Sequence, residues 1–271
     1  GTPVNKALLQ PIEDELGRLS STNIYTQLDN FINSGEITDV AQITGIKNSL
    51  YRGKNLGTSY TLEQQSQVAS GKFLDLWVGD YWTINGTTYL IAAFNYYYYN
   101  TGDSLLTINH VTLVPKDWVI VSLHRMNPTM TTEGGYANSQ IRTSGLDQIK
   151  TKIRADFPGR VLTHRRWLSN ATSGGAASGG AWYDSDIELM NEVMVFGSVV
   201  NGKGGRYNIG TEKSQLPLFS LRPDLATLWV TGWWLRDVVS ATNFAYVDYR
   251  GDVSALGAAA LGRVRPVFSI F

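Results

Sequence analysis

Val78-Gly79-Asp80-Tyr81-Trp82-Thr83-Ile84-Asn85-Gly86-Thr87-Thr88-Tyr89-Leu90-Ile91-Ala92-Ala93-Phe94 is the stretch on which the reading of the fold turns. Two apolar and aromatic runs, 77–84 and 87–94, flank Asn85-Gly86. A type I′ turn needs positive φ at both central residues, and Asn-Gly accepts that at little cost. The stretch predicts a β-hairpin. Residues 110–115 and 119–123 read as third and fourth strands. Tyr96-Tyr97-Tyr98-Tyr99 reads as strand too, with two rings inward and two outward.

Towards the N-terminus the pattern is helical. Leu8, Leu9, Ile12, Leu16 and Leu19 recur at helical spacing, although Pro11 interrupts them. Residues 23–33 form a second short helix that Gly35 stops. Thr61-Leu62-Glu63-Gln64 is a capping box that opens a third, with Gly71 as its C-cap. Residues 1–75 are expected to form an attachment or oligomerisation region, and residues 76–271 the main domain. The aromatic residues support that boundary. All 8 Trp and 11 of the 14 Tyr lie beyond residue 75, and aromatics carry much of a core's buried area.

Downstream, residues 139–157 predict a helix with Leu146, Ile149, Ile153 and Phe157 on one face, ended by Pro158-Gly159. Ser185-Asp186-Ile187-Glu188 reads as a second capping box, opening a helix to about residue 195. Between them, residues 172–180 read as a Gly/Ser/Ala loop, and Gly202-Lys203-Gly204-Gly205 as a hairpin turn. Strands are expected at 228–235, 244–249 and 264–271. Helices, a hairpin, two helices and then strands, without a regular βαβ repeat, give an α+β class.

Composition narrows the function. The 271-residue chain has 23 Lys+Arg and 23 Asp+Glu, a net charge of zero. Nucleic-acid binders carry a basic excess, so no nucleic-acid partner is expected. There is no cysteine, which removes disulfides, thiolate nucleophiles and cysteine-held zinc. No apolar run approaches the roughly 18 residues of a membrane span, so no membrane insertion is expected, and no signal-peptide core is evident.

Catalytic chemistry finds little purchase. His110, His124 and His164 make no metal-ligand pattern, and His164 reads as structural. There is no GxSxG elbow and no phosphate loop. Asp184, Asp186 and Glu188 read as helix-start carboxylates, with calcium binding as the alternative. A glycan hydrolase using Asp184 and Glu188 has no supporting spacing. The expectation is a protein that is not an enzyme, with no cofactor and no metal.

The C-terminal stretch points instead to display. Trp233-Trp234-Leu235-Arg236-Asp237 opens it and Gly262-Arg263-Val264-Arg265-Pro266-Val267-Phe268 closes it. One Trp ring is expected in the core and the other over a loop, with Arg236 and Asp237 paired. Between these ends the residues share no chemical theme. Rigid ends around a heterogeneous middle suit recognition.

Several phrases, in order, resemble a known family. Val78 to Gly86, Thr131-Thr132-Glu133-Gly134-Gly135-Tyr136, Val161-Leu162-Thr163-His164-Arg165, Ser214-Gln215-Leu216-Pro217-Leu218-Phe219 and the two C-terminal motifs above are similar to bacteriophage proteins with a C-type-lectin-like fold. That fold is of the formylglycine-generating-enzyme type, and some members are diversified by retroelements. The resemblance implies a virion component, in the tail or as head decoration, assembled in a bacterial cytoplasm. It implies a variable C-terminal surface that meets a host-surface protein or glycan. Other virion proteins would meet the N-terminal region, and the chain would form a homo-oligomer such as a trimer. Phe244, Ala245, Val247 and Gly251 match constant positions. Thr242, Asn243, Tyr246, Asp248, Tyr249, Arg250, Asp252, Ser254, Ala255 and Leu256 would be the ligand-binding ones. The alternative is a purely structural decoration protein without a dedicated ligand. The Glu-Pro-Asn and Gln-Pro-Asp calcium motifs of sugar-binding lectins are missing, and so are the cysteines that formylglycine-generating catalysis needs.

Overall fold

A computed structural model of the chain describes residues 21–99, 105–228 and 231–271. The helix expected over 8–19 lies outside them. Three helices come first: α1 (Ser21–Ser34), α2 (Val40–Lys47) and α3 (Leu62–Ser70). Gly35, at φ 83°, ends α1. The capping box of α3 forms as the sequence predicts, with Thr61 and Gln64 each accepting from the other's backbone N–H and Gly71 left-handed at φ 72°. Helix α2 carries no apolar periodicity strong enough to read from the sequence. Asp39 caps it by accepting from the Ala41 N–H at 3.0 Å.

The main sheet has five strands, all antiparallel: β1 (Tyr81–Ile84), β2 (Thr87–Phe94), β3 (Val111–Pro115), β6 (Ile187–Leu189) and β10 (Pro266–Ile270), in the order β1-β2-β3-β10-β6. Asn85 (φ 45°) and Gly86 (φ 79°) make the expected turn. Strand β10 fills the gap between β3 and β6, so the first and last strands belong to one sheet. One continuous core runs from Ile32 and Ile43 through Trp82 and Ile91 to Phe268 and Ile270. The helices α1 to α3 thus pack on the same core as the sheet.

Helix α4 (Asp147–Asp156) follows a single π-helical turn, Ile141–Gly145, and together they occupy the helix expected over 139–157. Buried Ile149, Ile153 and Phe157 line its core side. The architecture is α+β with antiparallel sheets and few helices. Among the described residues, no helix is long and apolar enough to cross a membrane.

Five local expectations fail. Residues 172–180 are not a loop but the tip and return strand of a long ribbon, β4 (His164–Ser173) with β5 (Ala176–Ser185). Ser185 does not start a helix. Glu188 is drawn into the core, where it accepts from the Tyr136 hydroxyl at 2.6 Å and pairs with Arg142 at 2.9 Å. The backbone there becomes β6, and the helix starts later as α5 (Glu192–Phe196), capped by Asn191. Residues 119–123 form no strand, and Tyr96 to Tyr99 sit in turns. Gly202 to Gly205 lead into α6 (Arg206–Ile209) and are not a hairpin turn.

Candidate functional site

The C-terminal frame is a second sheet, β7 (Trp233–Val238), β8 (Asn243–Val247) and β9 (Val253–Gly257), antiparallel in that order. The rigidity starts with its tryptophans. Trp233 and Trp234 are both fully buried, so neither merely covers a loop. Trp233 donates to the Ala226 carbonyl at 3.0 Å and Trp234 to the His124 carbonyl at 2.8 Å. Each ring removes on the order of 150–250 Å² from water, roughly 4–6 kcal/mol as an upper figure.

Arg236 and Asp237 do not pair with each other. They alternate to opposite faces of β7 and find separate partners. Arg236 pairs with buried Glu212, which also lies 3.8 Å from Arg166. Burial works to raise the Glu212 carboxyl, and Arg236 and Arg166 more than offset it, so the group sits below its ordinary value. Asp237 accepts from the Glu192 N–H at 2.8 Å. Burial, with Glu192 nearby, pushes it up to about 8. Glu192 in turn accepts from the backbone N–H groups of Val200, Asn201 and Gly202 at 2.7–3.1 Å. This layer of buried ionisable groups lies behind the sheet.

Directly opposed strand residues share a face. Register therefore divides the ten candidate residues. Tyr246 opposes Ser254 and Phe244 opposes Leu256, which puts Tyr246, Ser254 and Leu256 on the Trp234 side. Asn243 and Ala255 project from the other side. Asp248, Tyr249, Arg250 and Asp252 form the β8–β9 turn, and Thr242 lies in the β7–β8 turn. The two ends of β8 are about 13 Å apart at the usual strand rise. The structure thus gathers Tyr246, Asp248, Tyr249, Arg250, Asp252 and Ser254 at one end, and Thr242, Asn243 and Leu256 at the other.

The turn is held firmly. Asp248 accepts from the N–H groups of Arg250 (2.8 Å) and Asp252 (3.1 Å). Gly251 is left-handed at φ 91°, and a Cβ there would fall 2.4 Å from Thr227 Oγ1. Thr227 donates to the Arg250 carbonyl at 3.1 Å. Upon this base Tyr249 is 51% exposed. Arg250 Nε donates to the Tyr249 hydroxyl at 2.8 Å, and its guanidinium lies 5.1 Å from the ring centroid.

Tyr246 differs from these. It is half-buried, edge-on to Trp234, in a slot cleared by two glycines. A Cβ on Gly232 would lie 2.3 Å, and one on Gly262 2.9 Å, from its ring. Asp248 and Tyr246 are therefore scaffold in part, and Tyr249, Arg250, Asp252 and Thr242 are the candidate residues left exposed.

The remaining chemistry lies apart from this surface. His164 packs 4.1 Å from the Tyr97 ring, and its Nε2 accepts from Arg166 at 3.3 Å. Burial, then Arg166, drives its pKa to about 2, far from the range of a general base. Asp184 pairs with Arg165, Asp186 with Arg154, and Glu188 with Arg142, so the three carboxylates do not converge. Among the described residues no group of three His, Asp or Glu side chains is placed to hold a metal. One surface feature was not expected from the sequence, the Trp167–Trp182 pair on the β4–β5 ribbon. The signal that would have found it is Gly174-Gly175, whose φ values of 57° and 79° suit a hairpin turn. No family model matches the chain, nor does any curated protein or solved structure.

Proposed function

We propose that this chain is a ligand-display protein of a bacteriophage virion, built on a C-type-lectin-like fold, whose C-terminal sheet presents a recognition surface to a host-surface protein or glycan. The observation that carries the reading is the exposed Tyr249–Arg250 pair on a pinned turn, backed by two fully buried tryptophans. Tyr and Arg are the residues that most often dominate binding energy, and Tyr offers wide contact at small entropic cost. A turn that Asp248, Gly251 and Thr227 hold in place tolerates exchange of its outward side chains. The lectin-like reading draws support from the C-terminal strand β10, which closes the main sheet, and from the long excursion between β6 and β10 that carries the display sheet.

Labelled protein incubated with a panel of intact bacterial cells tests the proposal. It expects retention by some strains, lost at least tenfold in the Tyr249→Ala/Arg250→Ala double variant with the melting temperature unchanged. Retention by no strain, or retention that survives the double substitution, overturns it. The latter results would favour a decoration protein without a ligand, a reading to which Asp248 lends weight because its carboxylate is spent on its own turn.

A further inference from the structure

A second surface carries chemistry of its own. On the β4–β5 ribbon Trp167 opposes Trp182, so both rings project from one face, 5.3 Å apart and at 77°. Both are only half-buried. Two glycines shape the seat. A Cβ on Gly180 would lie 2.3 Å from Trp167 Nε1, so that position must be bare for the indole to lie flat. Gly210, left-handed at φ 62°, has no room for a Cβ because Trp167's carbonyl oxygen would be 2.1 Å away. The 210–213 segment consequently lies tight against β4. It brings Lys213 to the rings, and α6 brings Arg206. Trp167, Trp182, Arg206, Gly210, Thr211 and Lys213 enclose a depression of about 210 Å³.

The cations give the depression its sign. At the surface Arg154, Arg222 and Lys54 are each tied to a carboxylate, whereas Arg250 is held by Tyr249. Among the described residues neither Arg206 nor Lys213 has such a partner. Arg206 lies instead beside the Tyr207 ring and hydroxyl. Cross-strand tryptophans stabilise a ribbon by themselves, but that role does not require two carboxylate-free cations lining the same depression. Indole faces pack against the C–H face of a pyranose, and cations beside them meet a negative substituent.

We infer that this depression binds an acidic sugar, a pyranose ring bearing a carboxylate. The ring rests on Trp167 and Trp182, and the carboxylate meets Lys213 and Arg206. The site is separate from the Tyr249–Arg250 turn and does not depend on the role proposed for it.

Intrinsic tryptophan fluorescence, titrated with a galacturonate tetramer and a sialylated trisaccharide, tests the inference. The neutral galactose tetramer and polyglutamate serve as controls. At least one acidic saccharide is expected to bind, with at least tenfold weaker binding of both controls. The Arg206→Gln/Lys213→Gln variant, which changes only exposed side chains, should weaken binding tenfold or more. Tyr249→Ala/Arg250→Ala should leave it unchanged. Binding of neither acidic saccharide, equal binding of polyglutamate, or indifference to the Arg206/Lys213 change overturns the inference. So does loss of binding on changing Tyr249 and Arg250, because the ligand would then sit on the other surface.

Discussion

The Tyr246 ring stands edge-on to the Trp234 indole, with centroids 5.3 Å apart and planes at 72°. One partner is fully buried and the other half-exposed. The contact therefore marks where scaffold passes into surface, and residues on either side of it should answer differently to substitution. Tyr246→Ala forfeits the aromatic pair and leaves the slot between Gly232 and Gly262 empty, a loss of about 2 kcal/mol. Tyr249→Ala, three residues on, removes a ring that is half in solvent and should stay within about 0.5 kcal/mol of the parent. Chemical denaturation of the two variants checks this. Equal losses would mean that the turn is as structural as the strand.

Lys47 is fully buried, lies 4.0 Å from the centroid of the Trp77 ring, pairs with Asp29 and donates to the Leu76 carbonyl at 3.2 Å. It joins α1, α2 and the entrance to the first hairpin. Burial lowers its pKa to about 8 against the pull of Asp29, so much of its value here lies in its stem. Asp29 keeps the Asp75 N–H at 3.0 Å when the lysine is lost. Lys47→Met should therefore cost under about 1 kcal/mol, and Lys47→Ala about 3 kcal/mol. Thermal unfolding of both variants measures the difference. If Met is as damaging as Ala, charge and not packing holds this junction.

Glu212 is wholly enclosed between Arg236 and Arg166. Glu212→Gln keeps the shape and removes the charge, leaving two interior guanidinium groups uncompensated. Breaking such an arrangement from one side costs about 3–5 kcal/mol. Denaturant midpoints with an unchanged slope would report that loss as stability. A change under 1 kcal/mol would show that solvent reaches the arginines.

The parts of this fold that could be read from the sequence are those decided by neighbours in the chain. Asn85-Gly86 and the Thr61–Gln64 box carry their geometry in their own chemistry, and both form as expected. The Gly174-Gly175 turn carries the same kind of signal, but the Ala, Ser and Gly around it lack the apolar alternation that marks a strand, so β5 is hidden. Ser185 to Glu188 has the letters of a capping box. What overrides them is distant in sequence, namely Tyr136 and Arg142, which claim the Glu188 carboxylate inside the core. At the candidate surface, Tyr249 and Arg250 stood out only through the resemblance: the local pattern carried the strand to Tyr249, whereas it ends at Val247 and both residues lie in the turn that follows. The slot that holds Tyr246 was not legible either, because Gly232 and Gly262 lie 14 and 16 residues from it and meet it only through the sheet.

Asp237 makes the stability of the protein fall as pH rises. Burial beside Glu192 raises its folded pKa to about 8, against roughly 4 in an unfolded chain. Between these values the folded state binds the extra proton, so stability falls as pH rises from about 4 to about 8 and levels off beyond. Asp237→Asn retains a carbonyl oxygen for the Glu192 N–H and abolishes the titration. The variant should match the parent near pH 4, gain on it steadily to pH 8, and hold a constant advantage above that. The carboxylate's Coulomb attraction to Arg236 opposes this gain, so the slope and not its absolute size is the diagnostic. Stability measured at intervals from pH 4 to pH 9 decides the matter. Parallel curves for parent and variant would mean that Asp237 is ionised throughout and that Arg236 outweighs burial.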